Sequence, residues 1–498
     1  MDRPVAPLEG SSKITRRDHR LGTNHASRCT QSRLSRRNHV KQVKVLVIGA
    51  GPTGLGAAYQ LNRHEGVDWL LCEQSTEIGG LSQSIIDDAG YTWDIGGHVW
   101  FSHYDVVSNL LAEILGSDGY YEHRRDAAIQ YGSHWVPYPF QDHLQALPGD
   151  VRTECLAGLV EAAITAASGS QGPPENFSEY ITAAFGIGIT EAFMRPYNEK
   201  VWAHPLGDMS WSWIGERVSV PDPIAAIRNA LGAPKDTEWG PNSTFVYPKS
   251  GGTGAFWDAL ANTLPQERIR LGARAVSIDR ENKIVSFEDG ATIGYEYLIT
   301  TVPLDITARL IGDPSLIELT SGLSHSSVHV IGLGVDAAVG ERLGDRCWMY
   351  FPDPELPFYR VTHFSHYSPA NVPAGIDGSS LLIEVAESAT MPVDTDDLVD
   401  RVIAGLVSAG VLENAEQVSH VWTHRAEYGY PTPTLNREEI VSLALAELGS
   451  ANILSRGRFG AWRYEVGNMD HSFMQGYEAA ARALTGCAEP TLGLDGDR

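Results

Sequence analysis

Three glycines and one acid carry the clearest chemistry in this chain. Gly49-Ala50-Gly51-Pro52-Thr53-Gly54 sets glycines at the first, third and sixth positions of a turn, and Glu73 follows 19 residues after Gly54. Such a turn suits a pyrophosphate. The first glycine permits the tight bend, the second lets the phosphates approach the backbone, and the third lets a helix pack closely on its strand. The start of that helix offers N–H groups and a positive dipole end. A carboxylate at the spacing of Glu73 accepts the ribose hydroxyls of a dinucleotide. Two arginines remote in sequence, Arg195 and Arg360, suggest a second anion site. A guanidinium gives planar, bidentate hydrogen bonds to phosphate oxygens, and two of them on different lobes would grip one diphosphate from opposite sides. Arg195 stands between Met194 and Pro196 in an apolar, helical context.

The elements around these residues fit that chemistry. Residues 43–48 read as a buried parallel strand, 55–61 as the start of a helix, and 68–72 as a second strand that delivers Glu73. Gly79-Gly80-Leu81 then lets another backbone segment approach a long dinucleotide. This start resembles the FAD-binding opening of the amine oxidase and glutathione reductase superfamily, which selects FAD over NAD. Farther on, residues 147–240 are mostly helical, with a loop by composition at 168–174. Residues 268–301 alternate as strands, 327–360 and 379–387 also read as strands, and 453–484 combine a strand, a glycine-rich turn and a helix. The expected fold is α/β: a discontinuous Rossmann-type FAD-binding domain (43–118, 243–305 and 445–490), a helical substrate or flap domain (140–242) and an antiparallel β-sheet domain (119–139 and 306–444).

Composition narrows the classes. Hydrophobic residues make up 43% and charged residues 20% of 498, ordinary for a globular protein. No run of about 18 apolar residues predicts a membrane span. Cys29, Cys72, Cys155, Cys347 and Cys487 are scattered, with no C-x-x-C pair; that argues against a disulfide framework or a zinc site, fits a reducing cytoplasm, and no metal is expected. Residues 1–42 hold ten Lys or Arg against three acids, leaving 28 basic and 59 acidic side chains in the rest. This basic segment has no apolar period and reads as a disordered tail, with a transit peptide as its rival. The acidic body disfavours nucleic acid and leaves any anionic substrate to locally placed arginines.

Eight strings carry a more specific resemblance. They are 96–103 (GGHVWFSH), 135–141 (WVPYPFQ), 193–202 (FMRPYNEKVW), 251–254 (GGTG), 347–352 (CWMYFP), 357–360 (PFYR), 428–433 (YGYPTP) and 457–468 (GRFGAWRYEVGN). In this order and spacing the chain resembles the UDP-galactopyranose mutase family, nearer its eukaryotic branch, over residues 43–476. That resemblance implies that Gly96, Gly97 and His98 lie at the flavin, with Gly252, Thr253, Arg125, Arg458 and Asn468 around the cofactor. It makes Arg195 and Arg360 the diphosphate arginines, and it puts Tyr350, Tyr367, Tyr430 and Tyr464 on the diphosphate or around the sugar. Tyr138 and Gln141 would take the uracil, with Phe101 beside it; Trp348 would wall the sugar, and Asn198 would also touch substrate.

The resemblance implies interconversion of UDP-galactopyranose and UDP-galactofuranose by covalent catalysis through N5 of reduced FAD, with NAD(P)H as reductant, in a possible homo-oligomer. Three positions depart from the family pattern. Ala127 stands for Ser, Asp222 for Asn and Met469 for Gln; the first and last remove hydrogen-bonding groups near the flavin, and Asp222 brings a negative charge toward an anionic substrate. They open a second reading, a mutase acting on another nucleotide sugar. An FAD oxidase or desaturase working by hydride removal is a third, and a flavin-binding protein without catalysis a fourth.

Overall fold

The apolar run expected from Val43 forms a strand that begins two residues earlier, Lys41–Ile48, and is almost wholly buried from Val43 onward. It pairs in parallel with Trp69–Cys72 on one edge and Thr292–Thr300 on the other. A strand with parallel neighbours on both edges and covered on both faces needs continuous apolar sequence, which is why its residues do not alternate with polar ones. The computed structural model describes residues 40–169, 172–215, 218, 220–232 and 243–493, so most of the basic tail expected over 1–42 lies outside the described residues.

Four further strands complete this seven-stranded sheet, Ala275–Asp279 forming one edge antiparallel to Ile284–Phe287. Ile269–Arg270 extends it in parallel beyond Trp69–Cys72. The outer edge of Thr292–Thr300 is shared: its start takes Ile284–Phe287 antiparallel and its end takes Ile453–Ser455 parallel. The discontinuity read from sequence follows from that sharing. Helix Pro52–Asn62 lies against Met469–Thr485 at backbone distance, because a Cβ on Gly476 would fall 1.8 Å from the carbonyl oxygen of Thr53. The first turn of the first helix thereby meets the last helix near its middle, at Gly476.

A second seven-stranded sheet runs in the order Val418–Pro431, His325–Asp336, Gly378–Glu387, Arg360–His363, Trp348–Tyr350, Ala127–Tyr131 and His134–Pro137. It is antiparallel except at one junction, where Trp348–Tyr350 and Ala127–Tyr131 run parallel. There the hairpin 127–137, contributed from far upstream, docks on the edge of strands that follow one another in sequence.

The helical lobe contains Gly149–Ser168, Phe177–Ile189, Arg195–Trp202 and Pro223–Ala230. A π-helical turn, Thr190–Met194, joins the second and third. Pro196, which cannot donate a backbone hydrogen bond, follows directly and accounts for the widened turn. An apolar cluster including Phe140, Phe185, Phe193, Trp202 and Trp213 fills the lobe and brings in the side chains of Tyr138, Tyr350, Tyr430 and Tyr464 from outside it. Among the described residues no helix is long and apolar enough to cross a membrane.

Candidate functional site

A single cavity of about 970 Å³ runs along the first sheet, lined by Gly49, Gly51 and Thr53 of the glycine turn, Glu73, Gly80 and Leu81, and at its far end His98, Arg458 and Met469. The two glycine segments touch. Gly79 donates its N–H to Ala50 O at 3.0 Å, and a Cβ on Gly80 would come within 3.1 Å of Gly51 Cα. Gly51 caps the first helix without a side-chain bond, so the turn presents bare backbone. Gly54 permits that turn to close, since a Cβ there would meet Gly49 O at 1.8 Å. The Glu73 carboxylate accepts from Ala50 N at 2.7 Å and Ser75 N at 2.8 Å, which holds it at the mouth of the turn. A cavity of this size, lined by close-packed glycines, the acid Glu73 and the half-buried His98, fits a dinucleotide such as FAD. Arg274, Ala275 and Val276, which sequence reasoning missed, line it beyond Glu73.

At the far end a buried acid, also missed, organises the loops. Asp94 accepts from Ser84 Oγ, from Tyr247 OH at 2.8 Å, and from Thr253 through both N at 3.2 Å and Oγ1 at 2.9 Å. Burial pushes its carboxyl up to about 6 against the pull of those donors. Thr253 also donates to His98 O at 3.3 Å, so Asp94 couples the Gly252-Thr253 turn to the Gly96-Gly97-His98 loop. Gly252, at φ +67°, leaves room for this, because a Cβ would lie 2.2 Å from Ser84 Oγ. His98 Nδ1 is buried without a hydrogen-bond partner. Burial, then Arg458 and Arg360, lower the imidazole to about 3, so it is neutral.

Beside this loop lies one face of the second sheet. Trp348 pairs with Thr362, and Tyr350 with Arg360; Arg360 in turn pairs with Glu384 on the next strand. Arg360 grips Glu384 bidentately, through Nε and through Nη2 at 2.8 Å, and the Glu384 side chain is 3% exposed. Gly97 lies against this face: a Cβ there would be 2.9 Å from Thr362 Oγ1 and 3.5 Å from both Arg360 Nη2 and Trp348 Nε1. The buried polar atoms Trp348 Nε1, Thr362 Oγ1, Tyr359 OH and Tyr367 OH all lack hydrogen-bond partners. Buried polar groups are ordinarily paired, so a cluster of such orphans beside a partly buried guanidinium is the sign of a polar ligand's place.

Aromatic side chains extend the site toward the helical lobe. Tyr138 lies 5.5 Å from Tyr350 and beneath the Arg125 guanidinium at 5.0 Å. Tyr197 meets Tyr350 edge-on at 5.5 Å. Tyr430 and Tyr464 are 5.6 Å apart, Trp202 touches both, and Arg458 stands over Tyr430 at 5.6 Å. Arg458 also donates to Gly467 O at 2.9 Å and to Gly429 O at 3.3 Å. Burial raises the phenols of Tyr138, Tyr197, Tyr350, Tyr367 and Tyr430, so all stay protonated donors. Tyr197 and Thr362 belong to this cluster although the sequence reading did not single them out.

Several expected residues stand elsewhere. Arg195 does not meet Arg360: its Nε donates to Glu191 Oε1 at 3.0 Å and its Nη1 to Ser178 Oγ at 2.9 Å, and it lines a separate cavity with Glu199, Lys200 and Pro352. The π-helical turn before it sets which way the helix faces, and in this structure the two arginines stand apart. Asn198 bonds back to Met194 O at 2.7 Å within its own helix. Arg125 stacks on Tyr138 and is not among the residues lining the dinucleotide cavity; neither is Asn468, which caps the last helix through its carbonyl, accepting from Ser472 N at 2.8 Å. Gln141 is buried in a short turn after Tyr138, and Phe101 packs beside Tyr138 and Trp348. Of the three departures, Met469 lines the cavity and Ala127 packs against the Trp348 cluster. Asp222 is exposed and caps Pro223–Ala230, accepting from Ile224 N at 2.7 Å and Ala225 N at 3.2 Å, so its charge is spent on a helix.

A family model described as flavin containing amine oxidoreductase matches residues 52–484. Among solved structures, the chain is similar to a reduced UDP-galactopyranose mutase, with 41% identity over 91% of this chain and 96% of that one and a TM-score of 0.86. It is similar in fold alone to a CLA-producing fatty acid isomerase from P. acnes (15% identity, 88% and 98% covered, TM-score 0.60). The same holds for a putrescine oxidase bound to putrescine (16% identity, 89% and 99% covered, TM-score 0.58).

Proposed function

Given that the chain belongs to the flavin containing amine oxidoreductase family and, within it, to the UDP-galactopyranose mutases, we propose that it interconverts UDP-galactopyranose and UDP-galactofuranose. One observation carries the reading. The dinucleotide cavity is lined by His98 and Arg458, and a partly buried arginine and a group of orphaned donors lie against the Gly96-Gly97 loop. An oxidase for an amine has no need of a guanidinium among hydroxyls at this place.

FAD bound in this cavity and reduced by NAD(P)H would supply the nucleophile for the sugar. The chain's own residues do the rest. Glu73 and the glycine turn hold the ribose and pyrophosphate of the cofactor. Arg458 sets positive charge at the end of the cavity where a reduced, anionic ring needs it. Neutral His98 presents an unpartnered Nδ1 there without adding charge. Arg360, oriented by Glu384, holds the substrate diphosphate and keeps UDP in place while it is detached. The phenols of Tyr350, Tyr367, Tyr430 and Tyr464 donate to its oxygens and wall the sugar with Trp348, while Tyr138 and Gln141 take the uracil. Only one of the two expected arginines serves, because Arg195 faces another cavity.

Met469 at the cavity wall keeps a second reading in view, the same chemistry on another nucleotide sugar, since a thioether there offers no amide to a hydroxyl. Free thiols at Cys72, Cys155, Cys347 and Cys487 fit a cytoplasmic enzyme. The test is to reduce purified protein with dithionite and supply UDP-galactofuranose alongside a panel of UDP-sugars. Conversion by the reduced form alone supports the mutase chemistry, and the preferred sugar decides between the two readings. Peroxide formation with an amine and no sugar conversion would overturn both.

A further inference from the structure

Outside the site, one group of side chains has the composition and geometry of a metal-binding centre. His103 ends the loop that begins at Gly96; Asp470 and His471 lie in the first turn of Met469–Thr485. His103 Nδ1 is 2.8 Å from Asp470 Oδ2, and the backbone N–H of His103 donates to that oxygen at 3.0 Å. On the other side, Asp470 Oδ1 and His471 Nδ1 approach to 3.1 Å, yet both atoms are buried and neither makes a hydrogen bond of acceptable geometry. The Asp470 side chain is 1% exposed. Two buried polar atoms left without a hydrogen bond call for a partner beside them. All three donor atoms lie within 4.8 Å of one another. The imidazoles are 4.9 Å apart and Tyr104 closes one side, edge-on to both.

We propose that His103, Asp470 and His471 bind one divalent transition-metal cation of the zinc class. Two imidazole nitrogens and one carboxylate suit such an ion, with donor distances of about 2.0–2.2 Å and a fourth, tetrahedral position left for water. Magnesium and calcium favour all-oxygen shells and do not fit. Tetrahedral donors at those distances stand roughly 3.3–3.6 Å apart, so closure from the present spacing needs a shift of about an ångström. His103 can provide it, because its side chain is 38% exposed and opens the site to solvent. Coordination through Nδ1 leaves the single proton of the neutral His103 imidazole on Nε2, and Asp470 binds as the carboxylate. An ion here would tie the loop that carries His98 to the helix whose Met469 lines the cofactor cavity.

The experiment titrates chelator-treated, FAD-loaded full-length protein with Zn²⁺ by calorimetry, and with Co²⁺ followed by absorption beyond the flavin bands. One saturable equivalent is expected, with a tetrahedral cobalt spectrum and a raised melting temperature. His103→Ala and His471→Ala should each weaken binding at least tenfold while keeping the wild-type flavin content. Asp470 also holds backbone, so its substitution is not relied upon. A single equivalent that persists in the His103→Ala/His471→Ala double variant would assign the ion elsewhere, for instance to the neighbouring rings of His123, His363 and His366. That result, or no saturable site at all, overturns the proposal.

Discussion

Arg360 and Glu384 face each other across adjacent strands in direct register, joined by two hydrogen bonds, with the acid almost wholly buried. The arginine proposed to hold the diphosphate is thus kept as an ion pair. Removing one member of a buried pair leaves an uncompensated charge and costs about 3–5 kcal/mol. Arg360→Ala is expected to lower kcat/KM by two to three orders of magnitude, roughly 3–4 kcal/mol of lost charge-assisted bonding. Glu384→Gln should instead lower the melting temperature and let UDP restore it by more than it stabilises wild type, because the diphosphate then supplies the missing negative charge. Equal stabilisation of both proteins by UDP would remove Arg360 from the diphosphate.

Arg195 gives the opposite expectation. Its partners are Glu191 and Ser178, and its side chain is 30% exposed. An ion pair at such a position contributes about 0–1 kcal/mol. Arg195→Ala should therefore leave UDP affinity within about twofold of wild type and shift stability by no more than that amount. A hundredfold loss of UDP binding, measured by titration of the intrinsic tryptophan fluorescence, would show that the helical lobe rearranges to bring Arg195 to the diphosphate.

The contrast between these arginines shows what a single sequence carries. The glycine turn, its strand and helix, and Glu73 are legible because they lie within one short stretch, residues 43–73, and obey local rules of period and spacing. Direction is not local. Arg195 follows a π-helical turn, which rotates everything after it, and no spacing rule says which lobe that face meets. Glu384 did leave a trace, as a lone acid in the apolar run Leu381-Leu382-Ile383-Glu384-Val385. Its partner comes from strand pairing across 24 residues. Asp94 likewise ends an apolar stretch just before Gly96-Gly97, but its four donor groups come from three separate segments.

Glu73 bonds Ala50 N and Ser75 N, so it both shapes the glycine turn and stands ready for a ribose. Glu73→Ala is expected to weaken FAD binding by about 10- to 150-fold, the worth of a hydrogen bond to a charged group at roughly 1.5–3 kcal/mol. Retained flavin after dialysis measures it. Full flavin content at wild-type affinity would mean that the ribose is held elsewhere.

Asp222 caps a helix by accepting two backbone N–H groups. Asp222→Ala should cost about 1 kcal/mol of stability, and Asp222→Asn only a few tenths, since both Asp and Asn cap well. Neither should change KM for the nucleotide sugar. A KM that falls severalfold in Asp222→Asn would restore the electrostatic role expected from sequence.

His98 links the cofactor cavity to acid stability. Burial, with Arg458 and Arg360 adding repulsion, lowers its imidazole from the usual 6.5 to about 3. A group depressed in the folded state contributes stability that is present above its unfolded pKa and is lost as the pH falls toward its folded pKa. The window for His98 therefore runs from about 6.5 down to about 3. Within it each unit costs at most about 1.4 kcal/mol, so cofactor-free protein at pH 5 should have lost up to roughly 2 kcal/mol to this histidine. His363 is lowered to about 4 by its own burial and contributes in the same direction, but it is present in both proteins compared. Urea unfolding of wild type and His98→Gln at pH 7 and pH 5 isolates the difference. Wild type should lose more stability than the variant on acidification. Parallel losses would mean that His98 is already solvated or paired in the free protein, and the buried, unpartnered Nδ1 would then not be waiting for a ligand.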